Sequence, residues 1–110
     1  MANIFKNSIT GSIGTTGVIV YQVPAATTTT VIGVNIANVV AQNISVSVTL
    51  RDSSASKTVY LVKDALIVQG SSTILVGGEQ KVVMESGDYL TVFSSVATSA
   101  DVIVSALELT

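Results

Sequence analysis

Apolar and polar residues alternate along several short segments of this chain. The clearest is Asn43–Arg51, where Ile44, Val46, Val48 and Leu50 alternate with Ser, Thr and Arg residues. A repeat of two residues predicts a β-strand that is buried on one face and exposed on the other. The other segments that predict strands are Gly17–Val23, Thr30–Asn38, Thr58–Val62, Leu66–Val68, Thr73–Val76, Lys81–Met84, Tyr89–Phe93 and Asp101–Leu109.

Turn-forming residues separate these segments at short intervals. They occur at Pro24, Asn38 to Asn43, Asp52 to Ser54, Lys63-Asp64, Gly70-Ser71, Gly77-Gly78, Ser86 to Asp88 and Ser94 to Ala100. No long segment shows the 3.6-residue period of an amphipathic helix. Val, Ile and Thr supply 42 of the 110 residues, which favours strands further. The pattern therefore predicts an all-β domain over residues 17–110, a single β-sandwich or jelly roll of about eight short antiparallel strands.

The N-terminal residues 1–16 show a different pattern. Large apolar residues are isolated among polar ones, at Ile4, Phe5, Ile9 and Ile13, and Gly11 and Gly14 loosen the chain. Two interpretations remain open. The segment is either a ragged first strand or an arm whose four apolar side chains contact a neighbouring subunit or a capsid. An arm is expected to be dispensable for folding, so that deletion of residues 2–13 leaves the domain folded.

Low charge indicates that the domain is not a monomer. Charged residues make up 11% of the chain, against about 25% in an ordinary soluble domain, and the segment from Gln22 to Val48 contains none. Gly17–Val23, Tyr89–Phe93 and Val102–Leu109 are apolar on both faces, whereas an isolated sandwich has polar outer faces. We therefore expect a partner subunit to cover part of the outside.

Composition argues against most enzyme classes. The chain has no His and no Cys, so the usual general base, catalytic triads and most transition-metal sites are missing. Glu85 and Asp88 bracket a turn and would form an acid–base pair if they met, but a solvated hairpin turn is the favoured interpretation. Asp52 offers oxygens for a weak Ca²⁺ site but lacks the spaced acidic ladder of a dedicated loop. No catalytic residue, metal ligand or cofactor is predicted.

Nucleic-acid and membrane partners are also disfavoured. The net charge is −2, and the five Lys and Arg residues are scattered singly rather than grouped into a basic stripe. Apolar runs end after a few residues, far short of the roughly 20 that a membrane-spanning helix needs. The first residues lack the continuous apolar segment of a secretory signal.

The order of segments along the chain resembles a group of short virion structural proteins of tailed bacteriophages. The resemblance covers about Gly14 to Thr110. It is carried by YQVPAATTTTVIGVNIANV, NISVSVTLRD, VYLVKDALIVQGSS, GGEQKVVMESGDYLTVFSS and SADVIVSALELT, in that order. The run Thr27–Thr30 departs from the group, which has a glycine-containing turn after the proline.

This resemblance implies a capsid decoration (cement) protein located in the virion, on the outer capsid surface. Its partners would be the major capsid protein and further copies of itself, with a trimer as the expected homo-oligomer. A neck, tail or fibre-associated component is the alternative within the same group. A carbohydrate-binding β-sandwich module is a second alternative, which the absence of Trp and the presence of only five aromatic residues disfavour.

Overall fold

The computed structural model describes residues 2–77 and 80–110. Nine β-strands and no helix occur in these two ranges. The strands are β1 (Asn3–Ile13), β2 (Val18–Gln22), β3 (Thr28–Asn38), β4 (Ile44–Asp52), β5 (Lys57–Ile67), β6 (Ser72–Val76), β7 (Val82–Met84), β8 (Tyr89–Ser94) and β9 (Ala100–Leu109). No helix that could cross a membrane is found in this part of the chain. The predicted turn at Gly77-Gly78 lies partly outside the described residues.

The strands form two antiparallel sheets that pack face to face. Sheet A has the order β1-β9-β3-β6, with β7 also paired to β3, and sheet B has the order β2-β8-β4-β5. The chain passes repeatedly from one sheet to the other, and the last two strands insert between strands formed earlier. This strand order is that of a jelly roll, in which two Greek keys fold over each other. The predicted all-β sandwich or jelly-roll fold is confirmed.

The core lies between the sheets and follows from the two-residue repeat. In β9, every second residue from Ala100 to Glu108 is buried, and the residues between them are exposed or half-buried. In β4, the predicted inward residues Ile44, Val46 and Val48 are buried. Burial of each such side chain contributes about 1.5–3 kcal/mol relative to exposure. The alternation therefore determines which face of each strand closes the sandwich.

The uncharged segment from Gln22 to Val48 forms most of two interior strands, one in each sheet. It contains all of β3, which is flanked by β9 on one side and by β6 and β7 on the other. It also contains the first half of β4, which lies between β8 and β5. A central strand has neighbours on both sides and a buried inner face, so charged side chains are excluded from most of its positions. Much of the missing charge is thus explained by the core of a single subunit.

The N-terminal segment is a strand of the sandwich and not a free arm. β1 pairs with β9 without interruption from Asn3 to Thr10, and a bulge then leads to Ile13. The side chain of Ile13 is 1% exposed and belongs to the core. The bulge is fixed by Ser12, whose main-chain N–H donates to the Asp101 carboxylate at 3.0 Å. Of the two interpretations, the structure agrees with the first strand, because the pairing strand β9 is available in the same chain.

A second difference concerns the predicted turn at Lys63-Asp64. Instead of ending one strand and starting another, these residues form a bulge inside β5, where Val46 pairs with Ala65 and Val48 with Val62. Asp64 adopts a φ of 53°, and its N–H donates to the Ser47 hydroxyl at 3.0 Å. A side chain from the neighbouring strand thus satisfies the residue that the bulge leaves unpaired.

Candidate interaction surface

The outer face of sheet A carries two parallel rows of side chains that cross the whole sheet. Cross-strand pairing aligns Phe5 of β1 with Leu107 of β9, Leu107 with Thr30 of β3, and Thr30 with Val83 of β7. We call these four residues the Phe5 row. The second row, the Ile9 row, consists of Ile9, Ile103, Asn35 and Ile74, which are paired in that order across β1, β9, β3 and β6.

Small and polar residues form a trough between the two rows. Asn7 pairs with Ser105, and Ser105 pairs with Gly33, so the side chains along this line are short. Two open depressions of about 270 and 190 Å³ lie along it. Both fall below the roughly 300 Å³ at which small-molecule pockets begin. The face is therefore a ridged surface suited to another macromolecule, and not a ligand cavity.

The apolar side chains of this face are exposed to an unusual degree. Phe5 is 76% exposed, Ile74 75% and Ile9 71%, and Val83 is exposed as well. Among the outward-pointing strand residues described, the only charge on sheet A is Asp101, at one end of the face. Large exposed apolar side chains grouped on one face mark interaction sites on soluble proteins, and the cores of such sites are depleted in charge.

The outer face of sheet B has a different character. It carries Arg51, Lys63 and Asp64, and the Lys63 ammonium lies 5.4 Å from the centre of the Tyr60 ring. The two aromatic side chains that are well exposed, Phe5 and Tyr60, lie on different sheets. No shared aromatic platform for a sugar is therefore formed by the described residues.

The four predicted contact residues do not stay together. Phe5 and Ile9 lie on the outer face of sheet A, within the two rows. Ile4 pairs with Glu108 and is about half-exposed at the edge of the sandwich. Ile13 is buried in the core, so its assignment as a subunit or capsid contact is wrong, because a side chain that fills the core has no surface to offer. Sequence reasoning missed Ile74 and Val83, which are single outward residues in very short strands.

A buried polar network joins the two sheets at one end of the core. The Tyr21 hydroxyl donates to the Glu108 carboxylate at 2.6 Å and accepts from the Thr29 hydroxyl at 2.8 Å. The Lys6 ammonium lies 3.8 Å from the other oxygen of Glu108. Burial, together with the hydrogen bond to Glu108, raises the pKa of Tyr21 to about 12. The phenol therefore remains protonated and acts as a donor that fastens β2 to β9, rather than as a base.

A second polar cluster brings Asp52 to Glu85 and Asp88, the two carboxylates that the sequence places on either side of one turn. Oxygens of Asp52, Glu85 and Asp88 lie within 4.8 Å of one another, because the end of β4 lies beside the turn that precedes β8. Asp88 is buried, and its two oxygens accept main-chain N–H bonds from Ser53 and Glu85 at 3.0 and 2.9 Å.

Asp52 has a similar turn-capping role. Its carboxylate accepts from the Ala55 N–H at 3.0 Å and from the Ser54 hydroxyl at 2.8 Å, and the bond from Ala55 lowers the pKa of Asp52. Carboxylate oxygens are the ligands that Ca²⁺ prefers, and the Asp52 and Asp88 carboxylates also hold the turns beside them. The hydrogen bonds give the cluster a structural role.

No family model and no curated protein matches the chain. Among solved structures, a chain of the Bacillus endospore appendages, which are described as a novel family of disulfide-linked pili, superposes with a TM-score of 0.56. The alignment covers 98% of this chain and 88% of that chain, at 11% sequence identity. At this identity the likeness shows a common fold alone. The present chain has no cysteine, so a disulfide link within it or between its copies is unavailable.

Proposed function

We propose that this protein is a structural component of a tailed-bacteriophage virion, a decoration protein that self-associates on the outer capsid surface and stabilises the shell. The outer face of sheet A binds the major capsid protein. The protein contributes contact area and no catalytic chemistry.

One observation carries this proposal, namely the pair of apolar rows that cross sheet A. The largest apolar patch of a typical monomer measures about 300–600 Å², and a stable interface needs about 800 Å² on each partner. The rows span four strands with Asp101 as the only charge among the described outward residues, so the face provides the low-charge centre of such an interface. Its polar surroundings supply the rim.

Three further points support a structural role. The segment order resembles the phage virion group over most of the chain. Jelly rolls are common in viral capsid proteins, although they also occur in lectins and cupins. The chain with the same fold belongs to an assembly, the disulfide-linked pili of the Bacillus endospore appendages. These points favour an assembly subunit over an enzyme.

The test is the number of copies of this chain in each purified virion, measured by quantitative mass spectrometry against the major capsid protein and located by cryo-electron microscopy. Decoration predicts hundreds of copies spread over the capsid lattice. About a dozen copies or fewer at a single vertex would assign the protein to the neck or tail instead. Absence from the virion would contradict both assignments.

A further inference from the structure

Jelly rolls have exposed sheet edges, and three of the four edges of this fold are protected. β2, β6 and β7 contain five, five and three residues, which is too short to offer a long pairing edge. β5 is long, but its ladder is interrupted around the Lys63–Asp64 bulge and it carries two lysines. Short length, bulges and lysines are the usual devices that prevent a strand from pairing with another chain.

β1 is less protected, because its first eight residues carry a single lysine and its bulge lies beyond Thr10. Its ladder with β9 is unbroken for eight residues, from Asn3 to Thr10. The single charge in this range, on Lys6, is directed to Glu108 of the same chain. An edge of this length and regularity is a template for another strand.

The main-chain groups of β1 that face away from β9 can be identified. Ala2 and Thr110 exchange two hydrogen bonds, at 3.1 and 3.0 Å. Hydrogen-bonded pairs alternate with non-bonded pairs along an antiparallel ladder. The N–H and C=O groups of Asn3, Phe5, Asn7 and Ile9 therefore point to the open edge. None of the hydrogen bonds between described residues outside the strand ladders uses them.

We propose that β1 of one subunit pairs antiparallel with β1 of a second copy across a twofold axis at Asn7. This inference deepens the proposed function, on which it rests, by identifying the contact through which the decoration protein self-associates. The two copies of sheet A become one continuous sheet, with both outer faces on the same side. The contact is isologous, so by itself it gives a dimer and not the trimer that the resemblance implies, and it can also join larger oligomers on a lattice.

The side chains specify this register. With Asn7 opposite its own copy, Phe5 lies opposite Ile9 of the second copy, and each exposed apolar side chain gains an apolar neighbour. The Phe5 row of one subunit then continues into the Ile9 row of the other. The trough likewise continues across the axis through the two Asn7 side chains.

Charge excludes the neighbouring register. A shift of the axis to Lys6 would place two ammonium groups directly opposite each other, which is destabilising, and would pair Phe5 with Asn7. A slip of one β1 strand by a single residue against the other would place side chains of the outer face opposite side chains of the inner face. In the Asn7 register each Lys6 lies opposite Ser8 of the other copy, so that the two lysines are diagonal neighbours and not a directly opposed pair.

Single thiols test the contact, because the chain has no cysteine of its own. Hydrogen-bonded antiparallel pairs have Cα atoms about 5.5 Å apart, which lies within the range that a disulfide spans. We expect the full-length Asn7→Cys variant to form a covalent dimer under mild oxidation at micromolar concentration, at least about tenfold faster than Ile74→Cys. Ile74 is the matched control, since it is 75% exposed on the same face but at the opposite edge.

A charge pair provides a second test that needs no oxidation. Phe5→Lys/Ile9→Lys sets like charges opposite each other across the axis, whereas Phe5→Lys/Ile9→Glu sets opposite charges there. Sedimentation should show at least a tenfold weaker dimer for the first variant and recovery for the second, with circular dichroism melts confirming that both fold.

The outcomes separate this inference from the proposed function. Equal cross-linking of both thiol variants, or no recovery by the opposite charges, overturns the β1 contact. A wild-type protein that oligomerises while Asn7→Cys does not cross-link overturns it as well. Neither result changes the number of copies found on the virion, which decides the proposed function independently.

Discussion

At the residue scale, the most informative contact is the hydrogen bond between Tyr21 and Glu108, which the sequence pattern does not predict. In the sequence, Tyr21 is one of five aromatic residues, and Glu108 is one of seven scattered Asp and Glu residues. They meet because β2 and β9 face each other across the sandwich, a relation that a two-residue repeat does not encode. A buried carboxylate requires partners, and Tyr21 and Lys6 provide them.

Replacement of Tyr21 by Phe should destabilise the fold. The variant keeps the ring but leaves the Glu108 carboxylate, which is 4% exposed, without its neutral donor. Loss of a hydrogen bond to a charged group costs about 1.5–3 kcal/mol, which urea unfolding can measure. Tyr60→Phe is the matched control, since its hydroxyl lies on the surface, and a change within about 0.5 kcal/mol is expected there. Equal effects of the two substitutions would contradict a fastening role for Tyr21.

The same network predicts a loss of stability at alkaline pH. The pKa of Tyr21 is raised from 10.0 to about 12 in the folded protein. Between these values the native state holds a proton that the unfolded state has released, so the free energy of unfolding falls as pH rises. The contribution is complete below pH 10 and is lost as pH rises through 12. The stability difference between wild type and Tyr21→Phe should therefore narrow over this range in denaturant titrations, and a constant difference would disprove the assignment.

At the scale of single elements, alternation predicted most strands but not their continuity. Thr30–Asn38 and Asn43–Arg51 were predicted to within two residues of β3 and β4. Lys63-Asp64 looked like a turn because Asp favours left-handed and turn conformations, yet Ser47 of the adjacent strand accommodates the bulge. β1 was ambiguous because its inward positions include Lys6, Ser8 and Thr10. These polar residues are tolerated at a sandwich edge, where solvent and Glu108 are near.

Truncation of the N-terminal strand is now expected to abolish cooperative folding, in contrast to the expectation for an arm. Deletion of residues 2–13 removes one of the two strands that pair with β9, leaves β9 paired with β3 alone, and takes Ile13 out of the core. Loss of that side chain alone costs about 2–5 kcal/mol, a large part of the stability of a small domain. Calorimetry should show no cooperative transition for the deletion. Phe5→Ala/Ile9→Ala, which alters only exposed side chains, should melt near wild type, and a folded deletion variant would restore the arm interpretation.

At the scale of the whole molecule, the two outer faces differ in charge: among the described strand residues, Asp101 is the only charge on the outer face of sheet A, whereas sheet B carries Arg51, Lys63 and Asp64 beside exposed apolar residues such as Leu66. Sequence predicted that β9 would be apolar on both faces, and hence that something covers it. It could not show that Ile74 and Val83 complete the two rows, because that depends on how β6 and β7 share the edge of β3.

A charge placed in the middle of the apolar face should weaken capsid attachment. Ile103 lies in the Ile9 row on β9, and Ile103→Lys inserts an ammonium group into the centre of the proposed contact. We expect at least a tenfold loss of affinity, about 1.4 kcal/mol, when purified protein is added back to capsids stripped of it. Leu66→Lys, on the outer face of sheet B, is the control and should bind like wild type. Equal binding by both variants would rule out sheet A as the docking face.

The position of β9 between β1 and β3 also determines when the protein can fold during synthesis. β1 precedes the other described strands, yet the strand with which it pairs, β9, follows all of them along the chain and also supplies one side of β3. Sheet A therefore cannot close until β9 has left the ribosome, and pairings this distant in sequence form slowly. Until then the edges of β1 and β3 that pair with β9 are unpaired. Neighbouring nascent chains on the same mRNA expose the same unpaired strand edges. The rate of translation through the last segments thus sets how long these edges can pair wrongly.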